Sequence, residues 1–205
     1  MPIPDYLLKA SEERLWHLVS LRMEDGADVD AIDKQIWDLF GERWAVMFTD
    51  LSGFSRKAEE FGITHFLQVI YRQRELLYPI IRDHGGILVK AEADSLLLLF
   101  STPPSAVNCA IAMQQATIRA NERLIDEEKV HLCLGIGVGE VLRIGSHDVW
   151  GREVNAASKL GEDTAKTGEI LVTSSVHDYL RGTSYTLEAI DAVASGYEEY
   201  IRVVD

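Results

Sequence analysis

Cysteine is scarce in this chain: Cys109 and Cys133 are the only thiols among 205 residues. Two isolated cysteines make neither a disulfide framework nor a zinc-ligand spacing, so both are expected to be reduced thiols of the core. Positive charge is also short. Twenty Lys and Arg face 33 Asp and Glu, a net charge of −13 with no basic stripe, and such a surface repels nucleic acid. Long apolar runs are missing as well: none approaches the ~20 residues that cross a bilayer. The opening "MPIPDYLLKA" has neither the charged start nor the apolar stretch of a secretion signal. The expectation is therefore a cytoplasmic protein with no membrane and no nucleic acid among its partners. What is present, 47% hydrophobic and 26% charged residues, suits one globular domain with a modest extra segment. A small phosphorylated ligand is compatible with the acidity if metal ions supply positive charge locally.

Residues 6–22 and 28–40 carry helical spacing, separated by the loop "EDGAD". They are taken as an N-terminal helical segment, 1–40, suited to docking or dimer contact, ahead of a main domain over 41–205. In that domain "WAVMFTDL" reads as a strand and the stretch after it as a long helix, kinked at Pro79 and ended by Gly85-Gly86. "ILVKAEA" and "SLLLLF" form a hairpin around Asp94. A helix opened by prolines follows, then the strand "HLCLGIGVGEVLRIG", the helix "REVNAASKLGEDT", the strand "EILVTSSV", a short helix and a terminal strand pair. The fold class is α+β: a ferredoxin-like βαββαβ core with extra C-terminal strands and an N-terminal helical segment. "GIGVGE" lacks the Lys-Ser/Thr of a phosphate loop, and its glycines are better explained by close approach of another element to the strand.

The hairpin poses the chemical question, because Lys90, Glu92 and Asp94 stand where a buried sheet begins. Asp50 ends the first strand and Asp94 occupies the turn between the next two, so the topology brings the two carboxylates together. Convergent carboxylates repel unless protonated or bridged by a cation, and hard oxygen donors suit Mg²⁺ or Mn²⁺. The "LSGFS" that follows Asp50 is positioned to open a helix whose free N–H groups hold phosphate. Taken singly, Asp50 reads as a helix N-cap and Asp94 as an ordinary turn residue. Four of the six histidines, His65, His84, His131 and His147, read as surface residues.

"FTDLSGFS", "GGILVKAEADSLLLLF" and "DVWGREVNAASKLGEDTAKTGEILVTSSV" together resemble the signature blocks of class III nucleotidyl cyclases, from about Trp44 to Val176. The resemblance implies metal binding by Asp50, Asp94 and the Leu51 carbonyl, with two Mg²⁺ or Mn²⁺ ions per site. It implies a phosphate-cradling turn of Gly53, Phe54 and Ser55, and base reading by Lys90 and Asp148. Asn155 matches the ribose-orienting asparagine, and Lys159 stands where the family usually has a transition-state arginine. It also implies a homodimer, with metals and base-reading groups supplied by opposite subunits.

The implied reaction is attack of the ribose 3′-oxygen of a nucleoside triphosphate on its α-phosphorus, with ATP the favoured substrate. Lys90 donates and Asp148 accepts, which matches N1 and the amino group of adenine and mismatches guanine. Cytosine presents the same pattern, so a CTP cyclase is an alternative; a catalytically silent nucleotide-binding, dimerising module is another. Three departures from the family pattern stand out. Lys159 cannot make arginine's two-pronged contact, so slow turnover is expected. "AVASGYEEYI" lacks the family's phosphate-binding lysine, for which Arg181 is the nearest substitute. Ala93 replaces a glycine where φ is positive, and Glu92 shares a strand face with Lys90 and competes for it.

Overall fold

The computed structural model describes residues 11–53, 59–190 and 200–204. Helices α1 (Glu12–Arg22) and α2 (Val29–Phe40) lead into strand β1 (Gly41–Leu51). Helix α3 (Ile63–Asp83) is followed by the hairpin β2 (Ile87–Glu92) and β3 (Ser95–Phe100), then by α4 (Pro103–Asn121). After β4 (Leu132–Ile144) come a short strand β5 (Asp148–Trp150), helix α5 (Arg152–Ser158), a π-helical turn (Lys159–Thr164) and β6 (Ile170–Val172). Helix α6 (Ser174–Leu180) and strands β7 (Thr186–Ile190) and β8 (Tyr200–Val204) complete the described chain.

The strands form one sheet in the order β2-β3-β1-β4-β6-β8-β7, with β5 paired to β4 outside that path. The pair β4 and β6 is parallel, bridged by α5 as crossover; the other pairings are antiparallel. The expected βαββαβ core with added C-terminal strands is thus present. Strand β1 begins at Gly41, three residues ahead of the expected Trp44. Strand β5 was not anticipated. The expected helix over 152–164 is broken into α5 and the π turn.

"SLLLLF" is continuously apolar because both faces of β3 are covered. Leu96, Leu98 and Phe100 pack with Phe66, Val69, Leu77 and Ile81 of α3 and Val107, Ala110 and Met113 of α4. Leu97 and Leu99 turn the other way, onto Val46, Val149, Val154 and Ala157. Each is nearly or wholly inaccessible, so truncating one to alanine costs about 2–5 kcal/mol. Helix α3 runs unbroken through Pro79 and ends as expected, with the Gly85 and Gly86 amides on the Arg82 and Ile81 carbonyls and Gly85 at φ 69°. Helix α4 opens on Pro103 and Pro104, capped by Thr102. Cys109 and Cys133 are free and buried, and burial pushes their thiols up to about 12 and about 11. Helices α1 and α2 close a smaller cluster, in which Leu15, Leu18, Ile36 and Phe40 surround Ile144 at the end of β4.

The glycines of β4 do the work assigned to them. A Cβ on Gly137 would lie 2.8 Å from the Glu153 carbonyl, and one on Gly139 would lie 2.7 Å from Glu153 Cγ. Bare backbone therefore lets α5 lie close against the sheet. Glu153 locks it there by accepting from the Val138 amide at 3.2 Å and from Thr173 Oγ1 at 2.9 Å.

Candidate active site

Register brings the first acidic pair together. Thr49 pairs with Leu96 across β1 and β3, which sets Asp50 beside Ser95 and the hairpin turn. That turn is Ala93-Asp94, closed by the Glu92–Ser95 pair. Ala93 has φ 46°, the one positive φ outside glycine among the described residues, in agreement with the expected strain; the left-handed region costs alanine about 1–2 kcal/mol. Two side chains of α3 hold the turn in place. Gln73 Nε2 donates to the Asp94 carbonyl at 2.9 Å, and the Arg74 guanidinium donates to the Ala93 carbonyl at 3.2 Å. Gln73 is wholly buried and its Oε1 has no partner. Its signal in the sequence was a lone amide on the apolar stripe Phe66, Val69, Ile70, Leu77, Ile81.

Asp94 is 8% exposed. Its carboxylate accepts from the Leu51 amide and faces that of Asp50 within hydrogen-bonding reach. Burial first, and then the charge of Asp94, push Asp50 up to about 7; burial likewise raises Asp94. Ser95 Oγ sits 3.3 Å from Asp50 Oδ1 and 3.4 Å from Glu162 Oε1, so its single hydrogen satisfies one acid at a time. Glu162, on the π turn and anchored by Ser158 Oγ at 2.6 Å, adds a third negative charge that sequence reasoning missed. Among the described residues no group of three or more His, Cys, Asp or Glu side chains has metal-holding geometry. Glu162 therefore acts through its field. A half-buried and a buried carboxylate that repel each other, with no cation paired to them among the described residues, fit a hard divalent ion. Gly53 turns the chain at φ 79° just after Leu51; Phe54 and Ser55 lie outside the described residues.

In the middle of β2, where Lys90 pairs with Leu97, the charges cancel. Lys90 Nζ is 3.0 Å from Asp148 Oδ2 and 4.0 Å from Glu92 Oε1, so Asp148 prevails over the anticipated competitor. Burial alone would raise Asp148, but hydrogen bonds from Lys90, the Val149 amide and the Trp150 side chain hold it below its ordinary value. Strand β5 makes this possible. Its pairing of Asp148 with Ile144 and Trp150 with Leu142 aims residues 148 and 150 at the same face. Lys90, Asp148, Trp150, Ser95 and Glu162 line one cleft of about 310 Å³, within the range of small-molecule sites.

Asn155 and Lys159 stand one turn apart on α5 and the π turn, both exposed, and neither lines this cleft. Arg181 is a surface residue paired with Asp178 at 3.1 Å, and residues 192–199 lie outside the described chain. His65, His84 and His147 bond the Glu127 carbonyl, the Ile80 carbonyl and Glu12 respectively, apart from the cleft.

The model of the adenylate and guanylate cyclase catalytic domain matches residues 40–196. The chain belongs to that family. The family's reaction class is that of a phosphorus–oxygen lyase. Over 155 residues, 76% of this chain, the sequence is 31% identical to a Rhizobium meliloti protein provisionally named adenylate cyclase 3, of which the match covers 25%. An adenylate cyclase of Streptomyces coelicolor is 26% identical over 183 residues, covering 88% of this chain and 45% of the relative. The chain thus spans a quarter of the first relative and less than half of the second. Among solved structures, an adenylate/guanylate cyclase/hydrolase from Silicibacter pomeroyi superposes with a TM-score of 0.62 at 29% identity, covering 80% of this chain and 95% of that one. The same fold recurs at lower identity in both adenylyl and guanylyl cyclases, so fold alone leaves the base open. No helix among the described residues is long and apolar enough to cross a membrane.

Proposed function

We propose that this chain converts ATP to 3′,5′-cyclic AMP and pyrophosphate as an adenylate cyclase catalytic domain, with two copies composing the sites. The observation that carries the reading is the presence in one chain of both half-sites, the facing carboxylates of Asp50 and Asp94 and the Lys90–Asp148 pair at 3.0 Å. In the reaction the ribose 3′-oxygen forms a bond to the α-phosphorus, the bond to the pyrophosphate oxygen breaks, and the 3′-hydroxyl proton passes to solvent. When bound, Mg²⁺ or Mn²⁺ ions held by Asp50, Asp94 and the Leu51 carbonyl supply charge for the 3′-oxygen and the leaving phosphates. Lys90 donates to adenine N1 and Asp148 accepts from its amino group. Guanine reverses both partners and leaves each buried group unsatisfied, at about 1–3 kcal/mol apiece.

The dimeric composition is favoured by the position of Asn155 and Lys159, which lie outside the cleft of their own chain. A second copy apposed to the hairpin would bring its own Lys90, Asp148, Asn155 and Lys159 to the base, ribose and phosphate of a nucleotide whose metal ions this chain's Asp50 and Asp94 hold. The edge strand β2 leaves Ile87 and Leu88 each 36% exposed, apolar surface that such pairing would cover. The test is to incubate purified protein with each of the four nucleoside triphosphates and Mn²⁺ and identify any 3′,5′-cyclic product. Cyclic AMP is expected from ATP and none from GTP, with Asp94→Ala inactive. A cyclic pyrimidine product, or none at all from the intact protein, would overturn the reading.

A further inference from the structure

Strand β5 has three residues and a single strand partner, β4, yet it carries the residue assigned to base reading. Something beyond its ladder must hold it. Helix α1 touches it on both sides of Asp148. Before it, His147 Nε2 meets Glu12 Oε2 at 3.3 Å. After it, the Trp150 ring lies 5.6 Å from the Trp16 ring at an interplanar angle of 59°, a tilted geometry favourable for aromatic pairs. The Trp16 indole N–H in turn donates to Glu12 Oε1 at 3.2 Å, which ties the two contacts into one unit. Trp150 lines the cleft and its side chain hydrogen-bonds the Asp148 carboxylate. A continuous path therefore runs from Trp16 through Trp150 to Asp148. The helix itself is anchored, because Leu15 and Leu18 are buried against Ile36, Phe40 and Ile144.

We propose that Trp16 is a positioning residue for base recognition: by packing on Trp150 it sets the place of β5, and hence of Asp148, in the nucleotide cleft. The N-terminal helical pair is in this view a support behind Trp150, outside the lining of the cleft, and any displacement of α1 is read as weaker base selection. The catalytic consequence rests on the cyclase reading; the physical coupling of α1 to β5 does not.

The experiment compares full-length wild type with Trp16→Ala, Trp16→Phe and, as a control in the same helical pair, Trp37→Ala, whose exposed side chain lies on α2. Amide hydrogen exchange at residues 147–150 is expected to quicken about three- to tenfold in Trp16→Ala, to recover in Trp16→Phe and to stay unchanged in Trp37→Ala. With ATP and Mn²⁺, KM should rise by a similar factor in Trp16→Ala while kcat stays within about twofold. Unchanged exchange at 147–150 overturns the proposal, as does equal loosening in Trp37→Ala, which would mark general loss of the helical pair. An active Trp16→Ala protein with unchanged KM overturns it too. If wild type turns over no nucleotide, the cyclase reading fails, and the exchange comparison still decides whether α1 positions β5.

Discussion

The turn of the β2–β3 hairpin and the middle of its first strand face opposite electrostatic problems. At the turn, Asp50 and Asp94 face each other with Glu162 nearby, and Asp50 is pushed up to about 7 by burial and by Asp94. Four residues earlier in the chain, Lys90 neutralises Asp148 at 3.0 Å. The acidic end is frustrated until a cation arrives, so its free energy favours binding. The Lys90–Asp148 pair is satisfied without ligand, so under the proposed function adenine would exchange one set of hydrogen bonds for another. Such an exchange contributes discrimination more than affinity.

The sharpest way to break this contrast is to remove one acid. Asp50→Asn should lower turnover by roughly 10²–10³-fold and, without added metal, stabilise the fold. The folded-state pKa of Asp50, about 7, lies above its unfolded value. The stability it contributes is therefore full below about pH 4, the unfolded carboxylate range, and is lost as pH rises through 7. The melting gain of Asp50→Asn over wild type should accordingly appear at pH 8 and vanish at pH 4, and Mn²⁺ should shrink it at pH 8 by stabilising wild type alone. In the middle of β2, Lys90→Gln should reduce kcat/KM for ATP by about 5- to 150-fold, since it removes the cation that neutralises the partly buried Asp148. Steady-state kinetics with ATP and GTP side by side would show the loss confined to the preferred base.

A subtler variant tests support of the turn. Gln73→Met keeps the volume but removes the amide on the Asp94 carbonyl. It should raise the Mn²⁺ concentration for half-maximal activity about tenfold and leave the ATP-to-GTP preference unaltered. The smallest effect is expected outside the hairpin. Lys159→Arg should speed turnover by several-fold, on the order of the gain from a single charge-assisted hydrogen bond. Turnover that stays the same or falls would show that the lysine is not what limits the rate.

Much of this arrangement was legible in the residue string because it depends on local rules. Strand ends are marked by where apolar alternation stops, and that alone sets Asp50 and Asp94 at neighbouring strand ends. The glycines of "GIGVGE" announced a close neighbour, later found to be α5, and Ala93 announced a strained turn. Strand β5 escaped because three residues carry no periodicity; it is a strand only through its ladder with β4. The π turn escaped for a related reason, as "KLGEDT" continues the helical spacing of α5 and its wider winding shows only in hydrogen bonding. Gln73, Glu162 and Trp16 were invisible as site residues, since each matters through what it touches far along the chain.

The amino-acid order by itself determined which side chains exist to do chemistry and which strands and turns carry them, because backbone preferences and apolar patterning act over a few residues. Tertiary structure alone decided which of those side chains meet. The raised Asp50, the neutral Lys90–Asp148 pair and the grip of Trp16 on Trp150 all depend on distances across elements, and burial and charge act through space rather than along the chain.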